Sequence, residues 1–384
     1  MKNFNYYAPT RIYFGEGEIR NLSKELRKYG ERVLMVYGGG SIKKNGIYDA
    51  VMEEISDEFT VTEHGGVKPN PRIAHVREGV TLARENDIDV ILAVGGGSTI
   101  DASKAIAAAA KSNADAWDIV SGKARIREAL PIAVVLTINA TGSEMNANSV
   151  ISNEETKEKI GFASEAVIPR TSILDPSYLY TLPAIQTAAG SADTLSHVYE
   201  NYFQRDENPV ADALAEGIMR TVMENTPVAI REPKNYDARA NLMWASTMAL
   251  NRMTSVGKTG SWSCHAMEHE LSAYYDITHG VGLAILTPHW MRHVLSDDTL
   301  AKFVQYGKNV FGLTGDDREI AEHAIEKTSE FFRSVGIPMH LKEVGIDETH
   351  LAEMAAQAVK HGNFARAYVP LTEKDIEAIY RAAL

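Results

Sequence analysis

One stretch constrains this chain more than any other: Val90-Ile91-Leu92-Ala93-Val94, then Gly95-Gly96-Gly97-Ser98, then an alanine-rich run from Thr99 to Lys111. Five consecutive apolar residues read as a strand buried on both faces, because a half-exposed strand would alternate apolar with polar. The glycines permit a tight reversal, and the alanines read as a helix. A two-sided strand followed at once by a helix is half of a βαβ unit, so the sheet is predicted to be parallel. The rest of the first half repeats the theme. Val33–Val36, Phe59–Glu63 and Ile132–Ile138 read as strands, and Lys43–Ile55 and Ile73–Arg84 as helices, the latter entered through Pro69-Asn70-Pro71. After Pro183 strand-like runs nearly vanish, and Val210–Asn225, Ala238–Thr254 and Glu319–Val335 carry helical periodicity. Thr181-Leu182-Pro183 reads as a helix start, with threonine as cap and proline in the first turn. The expected fold is α/β plus all-α: an α/β domain over 1–182 and an all-helical domain over 183–384.

Composition narrows the function classes. The chain holds 39 basic and 51 acidic residues for a formal charge of −12, with no clustered Lys/Arg stripe. That balance argues against nucleic acid as a partner. No apolar run reaches the ~18 residues of a membrane span, and the N-terminus lacks the apolar core of a signal peptide. A cytoplasmic protein is expected. One cysteine, Cys264, excludes an internal disulfide framework.

Gly-Gly-Gly-Ser occurs twice, at Gly38–Ser41 and Gly95–Ser98, each directly after a predicted strand. A glycine turn at a strand's carboxyl end lets backbone N–H groups approach an anion. Neither copy is a G-x-G-x-x-G fingerprint or a P-loop. Two on separate parallel strands share one edge of the sheet, where ligands bind. A third loop on that edge, Thr137 to Glu144, is rich in hydroxyls. Together the three suggest a dinucleotide. Around Gly38 the sequence offers Lys43 and Lys44 and no carboxylate, so a ribose 2′-phosphate would be accepted and NADP(H) is expected over NAD(H).

Twelve histidines are present, six of them between His197 and His293. Asp193 and His197 stand four apart in a helical segment, so they share one face. His265 and His269 repeat that spacing, and His279 follows ten residues later. Asp193, His197, His265 and His279 offer one oxygen and three nitrogen ligands, a set suited to one Fe²⁺ or Zn²⁺. His289 and His293 read as structural. His265-Ala266-Met267-Glu268-His269 also matches the H-x-x-E-H metallopeptidase pattern, a reading that leaves the glycine loops without a task.

In their order these motifs resemble the iron-dependent (group III) alcohol dehydrogenases: Gly95-Gly96-Gly97-Ser98-x-x-Asp101-x-x-Lys104, Thr141-Gly142-Ser143-Glu144, Asp193-x-x-x-His197, and His265-x-x-x-His269 with His279-Gly280. The similarity runs from Pro9–Gly15 to the C-terminus. Tyr37 to Ser41 is similar to the branch of NADPH-dependent butanol dehydrogenases and broad-range aldehyde reductases. The resemblance implies a dehydroquinate-synthase-like fold, with a Rossmann-like dinucleotide-binding domain and a helical metal domain. It implies Asp193, His197, His265 and His279 as ligands of one divalent metal, with His269 beside the site without ligating, supporting a ligand or relaying a proton. Gly38, Gly39, Gly40 and Ser41 would hold the 2′-phosphate. Gly95, Gly96, Gly97, Ser98 and Thr99 would hold the diphosphate, and Thr137, Thr141 and Asn146 the cofactor nearer the nicotinamide. Asn70, Asp101, Lys159 and Leu179 match further contact positions. The chain departs from the family at Thr278, often proline, and at Asn146, often threonine. The implied reaction interconverts a short primary alcohol such as butanol and its aldehyde, in a cytoplasmic homodimer. A zinc polyol dehydrogenase using NAD, a dehydroquinate-synthase-like cyclase and a non-catalytic NADP sensor are the competing readings.

Overall fold

The computed structural model describes all residues, Met1–Leu384. Contacts divide the chain into two compact units. One holds Tyr7–Leu182 and Pro233–Met243; the other holds Met1–Tyr6, Pro183–Glu232 and Trp244–Leu384. Two short segments therefore cross a cut drawn at Leu182/Pro183. Lys2 N donates to Gly257 O at 2.8 Å, which ties the N-terminus to the helical unit. Met243 is fully buried in a hydrophobic cluster of the sheet unit. Packing, not chain order, assigns such segments.

In the sheet unit, β1 (Arg11–Phe14), β2 (Arg32–Tyr37), β3 (Thr60–His64), β4 (Val90–Gly95), β5 (Ile132–Leu136) and β8 (Thr171–Leu174) form one sheet in the order β1-β8-β5-β4-β2-β3. Every pairing is parallel. The central strands are apolar throughout because both faces are covered. Leu34, Val36, Ile91, Ala93 and Val134 pack with Val76, Val80, Ile100 and Ile106 on one side. Val33, Met35, Val90, Leu92 and Val135 pack with Ile47, Val51 and Ile55 on the other. Each Val, Leu, Ile or Met among them contributes ~1.5–3 kcal/mol when withdrawn from water.

A two-stranded antiparallel hairpin of β6 (Asn148–Asn153) and β7 (Glu158–Ala163) stands outside this sheet. The sequence reading did not foresee it, because Asn148, Ser149, Asn153, Glu158 and Lys159 dilute any apolar alternation. It equally overlooked β8.

After Leu174 the chain forms helices and short turns only. Two expected details differ. The helix Ala184–Tyr202 has Pro183 at its N-cap, with no side-chain cap, so Thr181 does not serve. The helix Tyr236–Ala249 stops short of Thr254. There Asn251 Oδ1 accepts from Met253 N at 3.0 Å, and Arg252 takes a left-handed conformation with φ 77°. An asparagine side chain offering such a local bond competes with helix continuation. No helix is long and apolar enough to cross a membrane.

Candidate active site

The helical unit gathers the histidines. Asp193 and His197 lie on one face of the helix Ala184–Tyr202, His265 and His269 on the helix Ser263–Tyr275, and His279 is the first residue of the helix His279–Val294. Gly280 explains how the last helix comes so close. A Cβ there would lie 2.0 Å from the Ala189 carbonyl oxygen, so only glycine permits this crossing. The contact carries His279 to the turn bearing Asp193.

Around Asp193 Oδ1 stand three imidazole nitrogens: His197 Nε2 at 3.3 Å, His279 Nε2 at 3.7 Å and His265 Nε2 at 3.8 Å. The edge of a tetrahedron with ~2.1 Å bonds is about 3.4 Å, so these spacings suit four ligands around one cation. Asp193 Oδ1 and His265 Nε2 are buried and lack a hydrogen-bond partner. Such atoms are costly unless something fills their valence.

Two further carboxylates stand behind the imidazoles. Glu200 Oε1 faces His265 Nδ1 at 3.4 Å and accepts from His265 N at 3.0 Å, while Oε2 accepts from Ser263 N at 3.0 Å. Glu200 thereby caps a helix whose own N-cap, Trp262, offers no side-chain bond. Glu268 pairs with His279 Nδ1 and accepts from Ser272 Oγ. Carboxylates on the outer nitrogens fix which nitrogen faces inward, the arrangement metal-ligating histidines use. Three carboxyl groups, Asp193, Glu200 and Glu268, are thus buried among the imidazoles, a charge set that favours a divalent cation. Burial opposes charge on Asp193, but the surrounding histidines hold it well below the usual carboxylate range. Burial pushes His197 down; for His265 burial is outweighed by Asp193 and Glu200, which raise it.

The sequence reading missed Glu200 altogether and met Glu268 only as the base of a peptidase motif. Glu268 is instead engaged by His279 and Ser272, which removes that motif's general base. A signal for Glu200 was available: it lies seven residues after Asp193, two turns along the same helix face. His269 is partly exposed, its ring centroid 5.7 Å from that of His279. Trp262 presents its ring to His197 and His265, with centroids 5.8 and 4.8 Å away. The Cys264 thiol neighbours Thr287, and His293 pairs with Asp375.

In the sheet unit the three loops meet at the carboxyl edge of β2, β4 and β5. A Cβ on Gly38 would lie 4.0 Å from Thr99 Oγ1. Gly95 O accepts from Thr137 N at 3.0 Å. A Cβ on Gly97 would lie 2.3 Å from Thr141 Cγ2, so the second glycine loop and the hydroxyl loop are in contact. Ser98 and Thr99 open the helix Gly97–Ala110, whose first N–H groups have no helical partner.

Two residues expected near the cofactor are occupied internally. Asp101 is reached by Ser143 Oγ at 2.6 Å and Val150 N at 2.9 Å. Asn146 Oδ1 accepts from Lys104 Nζ at 3.1 Å, and its Nδ2 donates to Gly142 O at 2.8 Å. Lys104 is fully buried and also donates to Ser143 Oγ, Asn146 O and Asn148 O. These side chains brace the hydroxyl loop. Asn70 is buried with φ 53°, Lys159 is buried on β7, and Leu179 lies in the hydrophobic cluster.

Family models match both parts of the chain. Residues 9–176 match the family model described as iron-containing alcohol dehydrogenase, and residues 187–384 its C-terminal counterpart. The chain is 51% identical over 388 residues to NADH-dependent butanol dehydrogenase A of Clostridium acetobutylicum, covering 99% of each. It is 41% identical over 367 residues to NADPH-dependent aldehyde reductase YqhD of Escherichia coli, covering 94% of each. The crystal structure of NADH-dependent butanol dehydrogenase A from Thermotoga maritima matches with a TM-score of 0.96 at 42% identity, over 100% of this chain and 99% of that one.

Proposed function

The chain belongs to the iron-containing alcohol dehydrogenase family and is an alcohol/aldehyde oxidoreductase, and from that premise we propose how its own residues do the work. The proposed reaction is the reversible reduction of short aldehydes such as butanal to primary alcohols. Family members bind NAD(P) and a divalent metal; here Asp193, His197, His265 and His279 would hold one Fe²⁺ or Zn²⁺. The observation that carries this is the convergence of three Nε2 atoms within 3.8 Å of Asp193 Oδ1.

When bound, the cation supplies Lewis acidity toward the carbonyl oxygen and the nicotinamide supplies the hydride. The protein's part is binding, orientation and proton handling. Glu200 and Glu268 hold His265 and His279 with their Nε2 atoms inward. Trp262 packs edge-on against the His197 and His265 rings and helps hold them in place. His269 stands beside His279 as the group that passes the hydroxyl proton to solvent. Gly95 to Thr99 would bind the diphosphate through backbone N–H groups, and Gly38 to Ser41 the adenosine ribose. Thr137, Thr141 and Asn146, braced by Asp101 and Lys104, would shape the loop nearer the nicotinamide, with Asn70, Lys159 and Leu179 as outer contacts. The local sequence of the first glycine loop, which carries Lys43 and no carboxylate of its own, supports NADP(H). Relatives named for NADH support NAD(H) alongside it. A cytoplasmic homodimer is part of the proposal, paired through the free edge of β1.

The test is metal analysis of the purified protein with NADPH and NADH oxidation assays on aldehydes and, in reverse, on alcohols, diols and glycerol. One equivalent of metal and rapid butanal reduction are expected; preference for glycerol would favour the polyol reading. His279→Ala should lose metal and activity together. Retained metal and turnover would overturn the ligand set.

A further inference from the structure

The structure brings to the first glycine loop a carboxylate that the local sequence lacks. Glu63, at the end of β3, lies 26 residues after Tyr37, yet Tyr37 Oη donates to its Oε2 at 2.6 Å. Lys43 Nζ donates to the same oxygen at 2.9 Å, and Tyr48 Oη donates to Oε1 at 2.6 Å. The parallel pairing of β2 with β3 sets Val36 beside His64 and so brings the two strand ends together. The following turn is tied to the loop, with Gly66 N donating to Gly38 O at 3.0 Å and Val67 N to Tyr37 O at 3.2 Å. Lys43 Nζ stands 5.0 Å from the Tyr37 ring centroid and 4.4 Å from that of Tyr48, within cation–π range. Beyond Lys43, Gly39 and Gly40 face open space, with no atom within 4 Å of where a Cβ would be.

We propose that Glu63 tempers this chain's discrimination between a ribose 2′-phosphate and a 2′-hydroxyl, by engaging Lys43 in advance. The inference rests on reading Gly38 to Ser41 as the adenosine-ribose loop. Two tyrosines anchor the carboxylate independently of Lys43, so it stays in place when the lysine turns to a phosphate. Burial works against its charge, but the hydrogen bonds from Tyr37, Tyr48 and Lys43 prevail and hold its pKa down to about 2. It is therefore anionic at any working pH. A 2′-phosphate must compete with Glu63 for Lys43 and then sit near an uncompensated carboxylate. A 2′-hydroxyl meets neither cost. The Lys43–Glu63 pair is partly exposed, 44% and 35%, so it is weak enough for a doubly charged phosphate to displace. Lys43 thus admits the phosphate while Glu63 limits the gain.

The experiment titrates metal-loaded full-length protein with adenosine 2′,5′-bisphosphate and with AMP, by calorimetry. Glu63→Gln should bind the bisphosphate about tenfold more tightly, about 1.4 kcal/mol, with AMP affinity unchanged. Lys43→Met should lose affinity for the bisphosphate alone, and the double variant should lose the gain of Glu63→Gln. If the bisphosphate-to-AMP affinity ratio is the same in Glu63→Gln as in the wild type, the proposal is wrong while the loop assignment stands. If the wild type binds neither probe, the loop assignment fails and this inference falls with it. Should Glu63→Gln be poorly folded, Lys43→Met still decides: an unaltered bisphosphate affinity there also overturns the role given to the pair.

Discussion

The chain writes Gly-Gly-Gly-Ser twice after a parallel strand, and the two copies need their glycines for different reasons. At Gly95–Gly97 the requirement is steric. Added Cβ atoms would lie 2.4 Å from Thr99 Oγ1, 2.9 Å from Ile138 Cβ and 2.3 Å from Thr141 Cγ2, so the glycines make room for the protein itself. At Gly39 and Gly40 nothing stands within 4 Å, and Gly40 has φ 92°. There glycine serves backbone conformation at one position and open access at both. Identical letters at equivalent strand ends therefore do unlike work: Gly95–Gly97 sit against their neighbours, while Gly39 and Gly40 face open space.

That contrast can be pressed experimentally. The largest effect comes from stripping the metal. Catalysis should vanish and the melting temperature should fall, since a ligand at a thousandfold over its Kd stabilises by ~4 kcal/mol. AMP binding should survive, because both glycine loops lie in the sheet unit while the proposed metal ligands lie in the other; calorimetry on chelated protein checks this. Next, Gly97→Ala should destabilise by about 1–3 kcal/mol through overpacking. Thr141→Ala should restore much of that loss, a coupling measured by a double-mutant cycle in urea. Gly40→Ala should cost about 1–2 kcal/mol for the left-handed backbone, and no second substitution should rescue it. The smallest effect belongs to Gly39→Ala. Its stability should change by less than ~0.5 kcal/mol, yet AMP binding should weaken because the new methyl enters the ligand's space. Unaltered AMP binding in that variant would break the contrast.

The sheet was legible because its central strands are covered on both faces and so carry unbroken apolar runs, as in Val90–Val94. The hairpin of β6 and β7 was not, since Asn148, Asn153 and Glu158 carry no strand signature. Asp193 with His197 and His265 with His269 were legible through helical spacing. Their convergence was not, for it depends on Gly280 lying against Ala189 O, a contact between helices ninety-one residues apart. Glu200, Glu268 and Glu63 show the same limit. Each acts through a residue on another strand or helix; spacing sets Glu200 on the face of Asp193, but it does not encode the partner His265.

By itself the sequence determined the parallel sheet, the helical second half and the residue types available for a metal and a dinucleotide. Periodicity and chemistry are local properties, and each residue carries its own. Only the tertiary structure decided which carboxylate backs which imidazole, which glycines make room for protein and which face open space, and that Lys43 is already engaged by Glu63. Those outcomes depend on distances between segments far apart in the chain, which packing alone sets.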